Sequence, residues 1–78
     1  MKKVDKRLRP KSIKGARLQK NLYPFEVSRK LGIGVIEYMS LEEDNTLLKL
    51  YSLTFLTNLM NLLTLEPTEL IDMMKLFR

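Results

Sequence analysis

Cysteine and histidine are both absent from these 78 residues. Without cysteine there is no disulfide and no thiolate metal site. Without histidine the commonest general base and the commonest metal ligand are missing. An enzyme would need paired carboxylates or a Ser–Lys arrangement instead. The acids Glu42, Glu43 and Asp44 are consecutive, so on a helix they point different ways. A charged helix end explains them better than a catalytic pair does. No enzyme activity, metal, cofactor or small-molecule substrate is expected.

Long apolar runs are missing too. No apolar stretch follows the N-terminal charges, so no secretory signal is expected. The leucine-rich stretch 47–65 is interrupted by Lys49, Ser52, Thr54, Thr57, Asn58 and Asn61. A membrane span needs about 20 predominantly apolar residues, so a packed helix is expected there. The expectation is a cytoplasmic protein with no membrane partner. The length allows one domain at most, with a small core and marginal stability.

What is present is charge, unevenly placed. The net charge is +5, and residues 1–20 hold nine of the fourteen basic side chains. Those nine, Lys2, Lys3, Lys6, Arg7, Arg9, Lys11, Lys14, Arg17 and Lys20, stand against the single acid Asp5, a net +8. The rest of the chain has five bases against eight acids, a net −3. A basic arm on a mildly acidic body suggests a polyanionic partner. A solvated tail is the plainer reading of the same charges.

The helical period begins only after Pro10. Residues 1–11 lack any period and read as a flexible basic arm, with 12–78 as the folded domain. Ser12 can cap a first helix over 13–21, with Ile13, Ala16 and the stems of Arg17 and Lys20 inward. Pro24 suits the first position of a second helix, where its missing N–H costs nothing. Val27 and Leu31 share one face of it. Gly32 allows a left-handed turn. A third helix over 35–43 turns Tyr38 and Leu41 inward. A fourth runs from about Thr46 or Ser52 to Leu63, and a fifth covers 68–77. No strand pattern or internal repeat is visible, so the fold class is all-α with short loops.

The stretch "FEVSRKLGIGVIEYMSLEE", residues 25–43, reads as two short helices joined at a glycine. With Ile13, Ala16, Arg17 and Leu22 before it, and Ser52, Leu53, Leu56, Leu59, Met60, Leu63 and "LEPTEL" after it, the chain resembles the Cro/phage-repressor type (XRE-like) helix-turn-helix domains. The resemblance spans 13–71, about three quarters of the chain. It needs about three extra residues around 43–51. It implies a compact five-helix DNA-binding fold with α-helices only.

The departures fall where that family touches DNA. Its opening glutamine is Pro24 here. The start of the recognition helix, usually rich in polar and basic residues, reads Gly34, Val35, Ile36 and Glu37, with Ser40 further on. Base readout needs donors and acceptors at base edges. Val35 and Ile36 can only touch a thymine methyl, and phosphates repel Glu37. The resemblance therefore carries the fold and not the base-reading residues. An apolar helix start at an exposed place implies either a protein contact or a misplaced helix frame.

The DNA-binding candidates are cations. In the arm they are Lys2, Lys3, Lys6, Arg7, Arg9 and Lys11. In the domain they are Lys14, Arg17 and Lys20 on one face, with Arg29 and Lys30, which a solvated helix surface also explains. Arg17 matches an arginine of the family that packs and pairs structurally as well as contacting DNA.

The fourth helix carries two apolar stripes. Leu53, Leu56, Met60 and Leu63 are expected in the core. Tyr51, Phe55, Leu59 and Leu62 form a second stripe, and a helix apolar around most of its surface is buried on more than one side. Tyr51, Phe55, Leu62, Met73 and Phe77 are therefore the expected interface with a second copy or a protein partner, an internal core being the alternative. Two functions follow. One is a small dimeric transcriptional regulator of phage or mobile-element repressor type, binding DNA mainly through phosphates and the arm. The other is a helix-turn-helix fold working through protein contacts, as an antirepressor or co-regulator.

Overall fold

The computed structural model describes residues 10–75. The arm expected over 1–11 lies almost wholly outside the described residues, as does the end of the fifth helix with Phe77. Five α-helices and one 3₁₀ helix are present, and no strand occurs among the described residues. They are α1 (Ile13–Gln19), α2 (Pro24–Leu31), α3 (Val35–Glu43), the 3₁₀ helix (Asn45–Leu50), α4 (Leu53–Leu63) and α5 (Pro67–Lys75).

Local chemistry sets most of these boundaries. The Ser12 hydroxyl accepts from the Gly15 N–H at 3.0 Å and caps α1. At α2 the Glu26 carboxylate reaches back to the Tyr23 N–H at 2.7 Å, ahead of Pro24. The Ser52 hydroxyl caps α4 by accepting from the Phe55 N–H. Of the two starts the sequence leaves open for the fourth helix, Thr46 and Ser52, α4 uses Ser52, and Thr46 falls inside a separate 3₁₀ helix. Asp44 accepts from the Thr46 N–H to start the 3₁₀ helix, and Ser52 starts α4. The buried Asn45 amide donates to the Leu41 carbonyl at 2.7 Å, satisfying an acceptor at the end of α3.

Two helix ends, those of α2 and α4, are made with left-handed residues. Gly32, at φ 78°, ends α2. The Gly32 N–H donates to the Arg29 carbonyl and the Ile33 N–H to the Ser28 carbonyl, the Schellman pattern. Thr64, at φ 56°, ends α4 with the Leu65 N–H donating to the Met60 carbonyl at 2.8 Å. Asn21 (φ 58°) turns the chain between α1 and α2.

Every helix contributes to one core. Ile13 and Ala16 come from α1, Val27 from α2, and Tyr38 and Leu41 from α3. Leu48 of the 3₁₀ helix, Leu59 and Leu63 of α4, Leu65, and Leu70 and Met73 of α5 complete it. Lys20, whose stem was expected inward, is exposed.

The face of α4 differs from the expectation. Leu59, assigned to the second stripe, is fully buried, while Leu53, assigned to the core, is 77% exposed. Leu56 and Met60 are half-buried, as are Phe55 and Leu62. The physical reason is that the polar stripe of α4, Thr54, Thr57, Asn58 and Asn61, fixes only which side faces water. The apolar remainder is wider than one contact, and the packing of α4 against α2 and α1 decides which part of it is buried. Met73, expected at an interface, is 2% exposed and belongs to the core.

Candidate functional site

Helices α2 and α3 pack closely on each other, as α5 does on the 3₁₀ helix, and α2 also rests on α4. Tyr38 and Leu41 hold α3 against the core, fully buried. That fixes which side of α3 faces out. Ile36 is 74% exposed and Met39 45% exposed, and Glu37, Ser40 and Glu43 are exposed with them. The apolar start of α3 is therefore genuinely on the surface, so the frame is correct. Val35 is half-buried and Gly34 exposed. The Ser40 hydroxyl is turned back onto the Ile36 carbonyl at 3.2 Å. No residue of α3 is basic.

Two of the three glutamates of α3 have partners in the fold. Glu37 accepts from the Tyr51 hydroxyl, which holds that phenol's pKa up at about 12, first through the hydrogen bond and then through burial. Glu42 accepts from Arg17 Nε at 2.6 Å and from Nη2 at 3.2 Å. Arg17 Nη1 also donates to the Leu22 carbonyl at 2.8 Å. The bond to Glu42 raises the Arg17 pKa still further. Beside this pair the Tyr38 hydroxyl is buried without a hydrogen-bond partner among the described residues. Burial, then the neighbouring Glu42 carboxylate, pushes its pKa well up.

Arg17 therefore leaves the list of candidate phosphate contacts. Its guanidinium is spent on Glu42 and Leu22 and is nearly buried, so it joins α1 to α3 instead. Lys11, Lys14, Lys20, Arg29 and Lys30 are all exposed. Arg29 lies over the Phe25 ring, 5.2 Å from its centroid, and Phe25 is itself 56% exposed. The arm cations Lys2, Lys3, Lys6, Arg7 and Arg9 fall outside the described residues.

A second surface feature lies between α4 and α5. Leu53, Leu56, Met60, Pro67, Leu70, Ile71 and Met74 line an open groove that is almost wholly apolar. This is most of the stripe expected to be core, together with Leu70, Ile71 and Met74, the apolar positions expected of the fifth helix. The expected interface residues go elsewhere. Tyr51 and Phe55 are half-buried and packed on each other, ring centroids 4.4 Å apart. Leu62 is half-buried, Met73 is core, and Phe77 is outside the described residues. The spacing of Ile71 and Met74 was a usable signal for a continuous α5 edge, but nothing in the sequence separated an open edge from a covered one.

No described helix is long and apolar enough to cross a membrane. No family model, curated protein or solved structure matches this chain.

Proposed function

We propose that this chain is a small cytoplasmic transcriptional regulator of the Cro/phage-repressor helix-turn-helix kind, a binding module and not an enzyme. It holds DNA through phosphate contacts from its basic arm and from Lys14, Lys20, Arg29 and Lys30. The observation that carries this reading is the α2–α3 pair itself. Two helices meet at a left-handed Gly32, and the second presents a whole uncovered face. A helix placed this way is what enters a major groove in such folds.

Binding of this kind positions without specifying. Ile36, Met39 and Glu37 offer no donor to a base edge, so the affinity is electrostatic. A second copy across the α4–α5 groove completes the unit, since an exposed apolar groove is seldom left open in a soluble monomer. The test is fluorescence anisotropy of a labelled duplex over a salt series. Neutralising Lys2, Lys3, Lys6, Arg7 and Arg9 to Gln should lower the slope of log K against log salt by up to about 4.5. An unchanged slope would remove the arm from the interface.

One observation favours a second reading, in which the same fold works through protein contacts. The outward face of α3 is apolar and acidic, which suits a protein surface and repels a phosphate backbone.

A further inference from the structure

We propose that the outer side of α2 is a stacking platform for an unpaired nucleotide, with Phe25 taking a base and Arg29 and Lys30 taking its phosphate. The ligand class is single-stranded nucleic acid. Five aromatic rings lie among the described residues, and Tyr38, Tyr51 and Phe55 are buried or half-buried. The two that face water are Tyr23, 71% exposed, and Phe25, 56% exposed. They stand two residues apart at the start of α2.

Cations accompany the rings. Arg29 comes one helical turn after Phe25 and lies over its ring. Lys30 follows, and Phe25, Glu26, Arg29 and Lys30 line one partly open hollow of about 260 Å³. Glu26 is the only acid in that lining, and its Oε1 accepts from the Tyr23 N–H, so it serves as the cap of α2. Two cations against one acid leave a net +1 at the hollow. Among the described residues no carboxylate pairs with Arg29 or Lys30.

An ordinary contact between Arg29 and Phe25 accounts for one ring face. It leaves a second exposed ring, an unpaired Lys30 and the hollow without a role. Apolar side chains scattered singly on a surface need no explanation. Rings interleaved with free cations are a different pattern. They hold bases by stacking and the backbone by charge, and they tolerate any base because each has a π-face. A guanidinium plane is itself a stacking surface, so Arg29 extends the platform. Bases inside a duplex keep their faces stacked on each other and offer Phe25 none. DNA and RNA strands share the unpaired base, and the experiment has an arm for each. This inference goes beyond the duplex reading above and shares with it only Arg29 and Lys30.

The test uses the full chain and labelled oligonucleotides of about 12 nucleotides, dT and rU, beside a duplex of the same length. Anisotropy at one low salt concentration gives the affinities. Wild type should bind at least one of the two strands. Phe25→Leu keeps an apolar side chain where the ring is already more than half exposed. It should weaken strand binding about fivefold or more, the loss of one base–aromatic stack, and leave duplex affinity unchanged. Lys30→Gln should weaken both. The chain has no tryptophan, so Phe25→Trp introduces a single indole. That variant should bind the strand at least as tightly as wild type, with its fluorescence quenched by the strand and not by the duplex. No strand binding, an unchanged strand affinity in Phe25→Leu, or an indole unquenched at saturation overturns the platform. Equal losses of Phe25→Leu on strand and duplex overturn it too, since Phe25 then acts through Arg29 or the fold. Strand binding that depends on Phe25, without duplex binding, leaves the platform and removes the duplex reading. Duplex binding without strand binding removes the platform alone.

Discussion

Arg17 on α1 and Glu42 at the end of α3 form a two-pronged ion pair, each side chain only 8% exposed. Between them they tie the first helix to the last turn of the outward-facing one. The charges are nearly out of water, so each depends on the other. Breaking such a pair from one side leaves an uncompensated charge, whereas replacing both partners with apolar groups is often neutral. Glu42→Ala should destabilise the domain by about 3 kcal/mol, and Arg17→Met/Glu42→Leu by much less. Urea unfolding followed by circular dichroism measures both. A double variant that loses as much as the two single substitutions added together would show that the pair is not coupled.

Two helix ends give a matched pair of backbone tests. Gly32 stands at φ 78° with nothing within 4 Å of where a Cβ would lie. Gly32→Ala meets no clash, so its cost is conformational, about 1 kcal/mol. Thr64 holds φ 56° with a branched, exposed side chain, a conformation its type adopts rarely. Thr64→Gly should gain stability of similar size. Thermal unfolding of the two variants should move Tm in opposite directions.

The Tyr51–Glu37 bond sets an alkaline limit. Folding raises the Tyr51 pKa from an ordinary value near 10 to about 12. Folding therefore favours the protonated phenol. Its stabilising contribution is complete below pH ~10 and is lost as pH rises from there through about 12. Stability measured across that window should fall in the wild type. Tyr51→Phe should start lower at neutral pH and lose less on the way up. A wild-type profile identical in slope to Tyr51→Phe would show that the bond does not form.

The proposed self-association is best tested at Leu53. It is 77% exposed at the mouth of the α4–α5 groove, so a charge there costs the fold almost nothing. Leu53→Glu should convert a dimer to monomers in sedimentation while leaving Tm nearly unchanged at low concentration. Phe55→Glu, the substitution the sequence alone would recommend, should unfold locally instead, because Phe55 is half-buried against Tyr51. A wild type that sediments as a monomer at high concentration contradicts the dimer.

The α2–α3 pair was legible in the sequence because its signals are local. Pro24, Gly32 and the inward Tyr38 and Leu41 each act within a turn or two of themselves. The Ser12 and Ser52 caps were local as well. What the sequence hid was long-range or degenerate. Nothing near Arg17 announces Glu42 as its partner, since the two meet only once α1 lies on α3. In α4 seven of the eleven positions are apolar, more than one contact can cover, so burial of Leu59 and exposure of Leu53 depend on the neighbouring helices as well as on period. The 3₁₀ helix lay hidden in Asn45–Leu50 because its leucines fit the start of an α-helix equally well.

On the proposed function the chain holds DNA through its cations without reading bases. The most direct measurement is the affinity of the full chain for a panel of unrelated duplexes of equal length, at one low salt concentration. Binding to all of them is expected, with affinities within a few-fold of one another. A single duplex preferred by about 10³-fold or more, the range of true sequence recognition, would contradict it. So would the absence of binding to any duplex.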